Sequence, residues 1–192
     1  GSLLIDAAYL MQIVKKLDAD IINIEIIDGS LTKFSGSSVV FKMNGMNVND
    51  YPTIDFSKPM NSIKMDSTVL SDIIEQTTFA TSPKETRPVL TGVNFKIENN
   101  MLNCTATDSY RLAKKTIDFN SDVSFSITIP SKSLNEVRGT VLLTAKEIEI
   151  AQSDKKAQFW SDDMVLQTRL LDGGYPETNR LIPTEFKYTL II

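Results

Sequence analysis

"SIKMDSTVLSDI", residues 62–73, decides the fold, because the chain carries its frame three times. "SLLIDAAYLMQI" (residues 2–13) and "SITIPSKSLNEV" (residues 126–137) follow the same order of residue types. Each reads Ser, apolar, any, apolar, four mixed residues, Leu, two mixed residues, then Ile or Val. The starts lie 60 and 64 residues apart. A period of this size marks a repeated supersecondary unit. Each copy opens on a short alternating stretch, as a half-buried strand does, and passes through a polar cap position into a helix.

Spacing supports the helices. Leu10, Ile13, Val14 and Leu17 fall at i, i+3, i+4 and i+7, one apolar face. Leu70, Ile73, Ile74 and then Thr77 or Phe79 nearly repeat it, with Asp66 or Ser67 placed to cap the helix. The third helix, around Leu134 and Val137, is short and stops at Gly139. Short strands are expected after each helix: "IINIEI" (21–26), with Ile22, Ile24 and Ile26 on one face, then "SLTKF" and "VVFKM". "VNFKI", "MLNCTAT" and "RLAKKTI" follow the second helix. "VLLTA", "EIEIA", "AQFWS" and "MVLQTRLL" follow the third. "DGS", "NNM" and "SDDM" supply turns between strands. The expected class is α+β, built from half-units of strand, helix and three or four antiparallel strands. "NDYPTI" (49–54) and "GGYPETNRLI" (173–182) close the first and third half-units with Tyr-Pro, whereas the second ends in "TATDSYRLA". Two unlike half-units therefore make one domain.

Composition limits the function. Apolar residues are 42% of the 192 and charged residues 23%, ordinary for a globular chain with a sizeable core. No apolar run reaches the roughly 18 residues of a membrane span, and the start lacks the basic and apolar stretches of a signal peptide. Gly1-Ser2 reads as a cloning remnant. Net charge is −4, which disfavours a tight phosphate grip. Histidine is absent, removing the commonest general base and metal ligand. The single Cys104 suits a reducing compartment and is expected to be a buried structural thiol.

An enzyme would have to use carboxylates, Asp108 with Asp172 or Glu177, as acid and base. Acids beside Ser or Gly-Gly are more often turn formers, and Asp108 reads equally well as an acceptor for backbone N–H groups in a strand-to-strand turn. There is no Gly-rich phosphate loop, GxSxG or HExxH. A hydrolase is the remote alternative. A protein-binding scaffold without DNA contact is the nearer one.

"SPKETRPVLTGVNFKIENNMLNCTATDSYRLA" followed by "RLLDGGYPETNRLIP" resembles the bacterial DNA polymerase III beta subunit family, the sliding clamps. The resemblance implies a DNA-clamp fold, with helices lining a ring and sheets outside. It divides the chain into the second half of a first clamp domain (3–59), a complete middle domain (60–184) and the truncated first strand of a third (185–192). It implies a cytoplasmic processivity factor with no catalytic residue and no cofactor. Implied partners are duplex DNA, held loosely and without sequence preference, the polymerase III catalytic subunit, the clamp loader and repair proteins with clamp-binding peptides. The full-length parent would be a homodimeric ring; the present stretch is not expected to close one, and its half-domain edge invites pairing with another chain.

The resemblance also assigns sites. One wall of the partner-peptide pocket maps onto Leu90, Thr107, Ser109, Tyr110, Arg111, Leu112, Pro176, Arg180 and Leu181. Leu90, Leu112, Pro176 and Leu181 are expected to supply an apolar cavity, and Thr107, Arg111 and Arg180 the orienting polar groups. The third-domain wall is missing. Ser109-Tyr110 departs from the Gly or Ser followed by His common in the family, which puts partner preference in question. Lys84, Lys132, Lys15, Lys16 and Arg138 are the DNA-facing candidates; ordinary solvated charge is the equal alternative for each.

Overall fold

A computed structural model describes residues 1–121, 123, 125–183, 185 and 187. The chain divides into two compact units, Gly1–Asp55 and Phe56–Ile192.

The first unit holds one helix, α1 (Ala7–Lys16), and three strands, β1 (Asn23–Asp28), β2 (Leu31–Gly36) and β3 (Val39–Asn44), in an antiparallel sheet of that order. Asp6 caps α1: its Oδ1 accepts from the N–H groups of Ala8 (2.8 Å) and Tyr9 (3.0 Å). β2 alternates between half-buried and buried residues, with Phe34 at its centre. β1 is exposed along all six residues.

The second unit contains β4 (Asn61–Asp66), α2 (Ser67–Thr77), β5 (Gly92–Glu98), β6 (Met101–Thr107) and β7 (Leu112–Asp118). The same order recurs as β8 (Ser126–Pro130), α3 (Ser131–Gly139), α4 (Val141–Thr144), β9 (Glu147–Gln152), β10 (Lys156–Trp160) and β11 (Val165–Arg169). The halves exchange their first strands. The sheets run β7-β6-β5-β8 and β11-β10-β9-β4, so β8 pairs with β5 and β4 with β9. Neither half completes its sheet alone, and one core joins residues of both: Leu70, Ile73 and Phe95 from one, Leu134, Ile148 and Phe159 from the other. Ser67 bridges the halves, its Oγ donating to Ala145 O (2.6 Å) and its N–H to Lys146 O (2.9 Å). Arg138 of α3 reaches Glu75 Oε2 (2.6 Å) and Ser71 Oγ (3.2 Å) of α2.

Four local expectations are corrected. "VLLTA" is not a strand but the one-turn α4; a short apolar run carries no period that separates helix from strand. Leu3–Ile5 forms no strand, only an isolated bridge between Leu4 and Met46. Asp66 occupies the N-cap of α2 but makes no side-chain capping bond, and Ser67 points its hydroxyl across to Ala145 instead. β1 starts at Asn23, and both its faces are open. "EFKYTLII" lies almost wholly outside the described residues.

Candidate functional site

The β6–β7 turn is fixed by short side chains. Thr107 Oγ1 donates to Arg111 O (2.7 Å) and accepts from Ser109 N–H (3.1 Å). Asp108 Oδ1 accepts from the N–H groups of Tyr110 (2.9 Å) and Arg111 (3.0 Å), and Oδ2 from Arg111 Nε (3.0 Å). Ser109 takes the left-handed backbone at φ +78°, which the turn requires and which the Thr107 contact helps hold. The Tyr110 amide, then the other donors around Asp108, hold its carboxyl below the usual carboxylate range. A general acid needs the opposite shift, so Asp108 is a turn former. Glu177 likewise accepts from Asn179 N–H (3.0 Å) within its own loop. Among the described residues no group of three or more His, Cys, Asp or Glu is arranged to hold a metal ion.

The turn sets Arg111 under an aromatic ring. Its guanidinium carbon lies 5.8 Å from the Phe79 ring centroid, a cation–π distance. Phe79 is 59% exposed and Tyr110 98%. Leu112 is half-buried at the start of β7. Leu90 is buried, in the 3-10 turn Pro88–Thr91 whose carbonyl at Leu90 accepts from Ser82 N–H (2.8 Å).

The Tyr-Pro loop is tied beside this turn. Tyr175 is half-buried, and desolvation pushes its phenol up to about 12. Its Oη lies at the Thr107 amide, sealed from water, without a well-formed hydrogen bond. Lys114 Nζ of β7 donates to Asn179 Oδ1 (3.1 Å), and Leu171 N–H to Thr128 O (2.9 Å). Asn179–Leu181 then makes one 3-10 turn that leaves Arg180 and Leu181 exposed, Leu181 at 67%.

Apart from Leu90, the sequence-derived candidates fall in two stretches, Thr107–Leu112 and Pro176–Leu181, whose neighbours Lys114 and Asn179, and Tyr175 and Thr107, meet. The expected apolar cavity is not closed by its four residues: Leu90 is inside the body, Leu112 is half-buried, and Pro176 and Leu181 stand open to solvent. A cleft of about 600 Å³ does adjoin the loop, but its lining is polar, with Asn94, Thr105, Lys114 and Asp172 among its residues. Phe79 and Tyr175 also meet the candidate residues, at Arg111 and Thr107, and neither stood among the sequence-derived candidates. Phe79 was visible only as an extra apolar residue past α2, and Tyr175 only as a repeat marker.

The basic candidates lie in both units, Lys15 and Lys16 in the first and Lys84, Lys132 and Arg138 in the second. Lys84 is exposed in a loop where Ser82 Oγ accepts its N–H (3.1 Å). Lys132 is exposed on α3, and Lys15 and Lys16 on the last turn of α1. Arg138 is half-buried and shares its charge with Glu75.

The family model described as "DNA polymerase III beta subunit, central domain" matches residues 64–177, more than half of the chain. The chain belongs to the DNA polymerase III beta subunit family. It is 37% identical over 194 residues to the "Beta sliding clamp" of Bacillus subtilis and 39% identical over 196 residues to that of Halalkalibacterium halodurans. It covers 51% of the first and 52% of the second, and all of this chain is matched, so the chain spans about half the length of these beta subunit relatives. Its fold matches the solved beta subunit of Streptococcus pyogenes with TM-score 0.90 at 31% identity, over 97% of this chain and 51% of that one. The Bacillus subtilis sliding clamp structure matches with TM-score 0.87 at 36% identity, over 96% and 49%.

Proposed function

We propose that this chain works as part of a DNA sliding clamp, a processivity factor that tethers the replicative polymerase to duplex DNA. The observation that carries the reading is the match along the whole chain to proteins named beta sliding clamp. On this reading the protein is not an enzyme: tethering makes and breaks no bond and needs no cofactor. The use of Asp108 and Glu177 as turn acceptors supports it. Among the described residues no helix is long and apolar enough to cross a membrane. DNA contact is loose and phosphate-directed, through exposed lysines such as Lys84 and Lys132, because a ring that slides cannot bind tightly. The full-length protein is a homodimeric ring in the cytoplasm.

The partner surface is formed by the turn Thr107–Leu112 and the loop Pro176–Leu181. It takes a short peptide with apolar and glutamine anchors, carried by the polymerase III catalytic subunit, the clamp loader and repair proteins. Tyr110 and Leu181 offer exposed apolar area, and Arg111 and Arg180 orient the peptide. The test is a fluorescence titration of such a peptide against the chain extended to the length of its relatives. Leu181→Ala and Arg180→Ala should each weaken binding by about 1–2 kcal/mol. Unchanged affinity in both removes this surface from the reading.

A further inference from the structure

Phe79 stands on a turn that is fixed at both ends. It is the middle residue of the 3-10 turn Thr78–Ala80, which follows α2 directly. Thr78 Oγ1 donates to Ile74 O (2.8 Å) and ties the turn back to the helix. Thr81 closes the other end, its N–H (3.2 Å) and its Oγ1 (2.8 Å) both donating to Thr78 O. Ala80 is buried, yet the neighbouring Phe79 is 59% exposed. A single exposed aromatic carries no meaning by itself. Here the ring has a charged partner, the guanidinium of Arg111 at 5.8 Å from its centroid.

Arg111 is therefore gripped from two elements. Asp108 Oδ2 accepts from its Nε (3.0 Å) within the β6–β7 turn, and the Phe79 ring meets the guanidinium from the turn after α2. The arginine side chain remains 57% exposed. Among the described residues its Nη groups have no hydrogen-bond partner, so that edge of a flat, permanently charged fork is left for an acceptor from outside. A long side chain loses rotamer freedom when it binds, and that loss weakens the complex. Contacts that fix the side chain beforehand remove part of this cost.

We infer that Phe79 is a positioning residue of the peptide surface: its ring, together with Asp108, holds the Arg111 guanidinium so that the Nη donors meet a carbonyl oxygen of the docked peptide. The inference rests on the docking surface proposed above and adds a residue outside it. Phe79 acts through Arg111 and needs no contact of its own with the peptide. The face of the ring is what matters, because its quadrupole attracts the cation. An aliphatic side chain of similar bulk supplies the apolar area without the attraction.

A double-mutant cycle on the chain extended to the length of its relatives tests this, read with the fluorescent peptide that carries glutamine and apolar anchors. Phe79→Leu should weaken binding about 2–5-fold when Arg111 is present, the equivalent of one exposed cation–π contact. In an Arg111→Met background, which removes the guanidinium and keeps the stem, Phe79→Leu should change nothing. Phe79→Trp should keep the original affinity, since its ring holds a cation at least as well. NMR gives a readout without peptide: the Arg111 Nε–H resonance should shift in Phe79→Leu. An unshifted resonance overturns the inference, because ring and guanidinium then do not meet in solution. Equal losses from Phe79→Leu in both backgrounds overturn it as well, because the ring would then serve the peptide or the fold directly. So does full affinity in Phe79→Leu; where Leu181→Ala still weakens binding, the docking surface itself stands. Affinity unchanged in both Leu181→Ala and Arg180→Ala removes the surface and the role of Phe79 together.

Discussion

Asp108 shows how one residue gives up chemistry to become geometry. Both its oxygens hold the turn that aims Arg111 at Phe79. Its folded pKa is depressed, so its contribution is complete above the unfolded value of about 3.9 and is lost as pH falls through the folded value. An NMR titration should find this carboxyl among the last to protonate on acidification, and Asp108→Asn should flatten the acid limb of the stability profile. An ordinary titration would mean that the turn is not formed in solution. Cys104 offers a second check. It is fully buried, and desolvation raises its thiol well above the ordinary range. A thiol reagent should leave it untouched in the native chain and react fully in denaturant; rapid native labelling contradicts the burial. The turn role of Asp108 was legible in the sequence, because acid, Ser and backbone donors lie within three residues. The Arg111–Phe79 contact was not, since it joins positions 32 apart through tertiary packing alone.

At the scale of elements, most of the strand and helix order was legible from period 2 and period 3.6, the exceptions being the helical Val141–Thr144 and the bridge at Leu4. Strand partners were not, because alternation says which face is buried and nothing about which edge is joined. The exchange of β4 and β8 therefore emerged only in the structure, and β5 and β8 come close at Gly92. A methyl group there would run into Ile129 O of β8 and sit 2.6 Å from Leu171 Cδ1. Backbone in a paired strand gives way poorly, so Gly92→Ala should cost about 1–3 kcal/mol in urea unfolding. A neutral result would show that β5 and β8 are less closely joined. Ser67→Ala removes the 2.6 Å bond to Ala145 O and should cost about 1 kcal/mol in the same assay.

For the molecule as a whole, the two units carry unequal cores. Phe56–Ile192 buries one large cluster drawn from both its halves, while Gly1–Asp55 buries fully only Leu17 and Phe34 among its large apolar side chains. Apolar burial is the main favourable term in folding. Hydrogen exchange should therefore proceed through local opening in β1–β3 long before β5, β6 and β9 exchange. Uniform protection across both units would contradict this.

The strand exchange also bears on how the chain is made. Asn61 finds its partner in Gln152, 91 positions later. At roughly 5–20 residues per second, the ribosome leaves β4 without its sheet for about 5–18 s. During that interval the nascent chain shows an open strand edge that only its own unfinished second half can close.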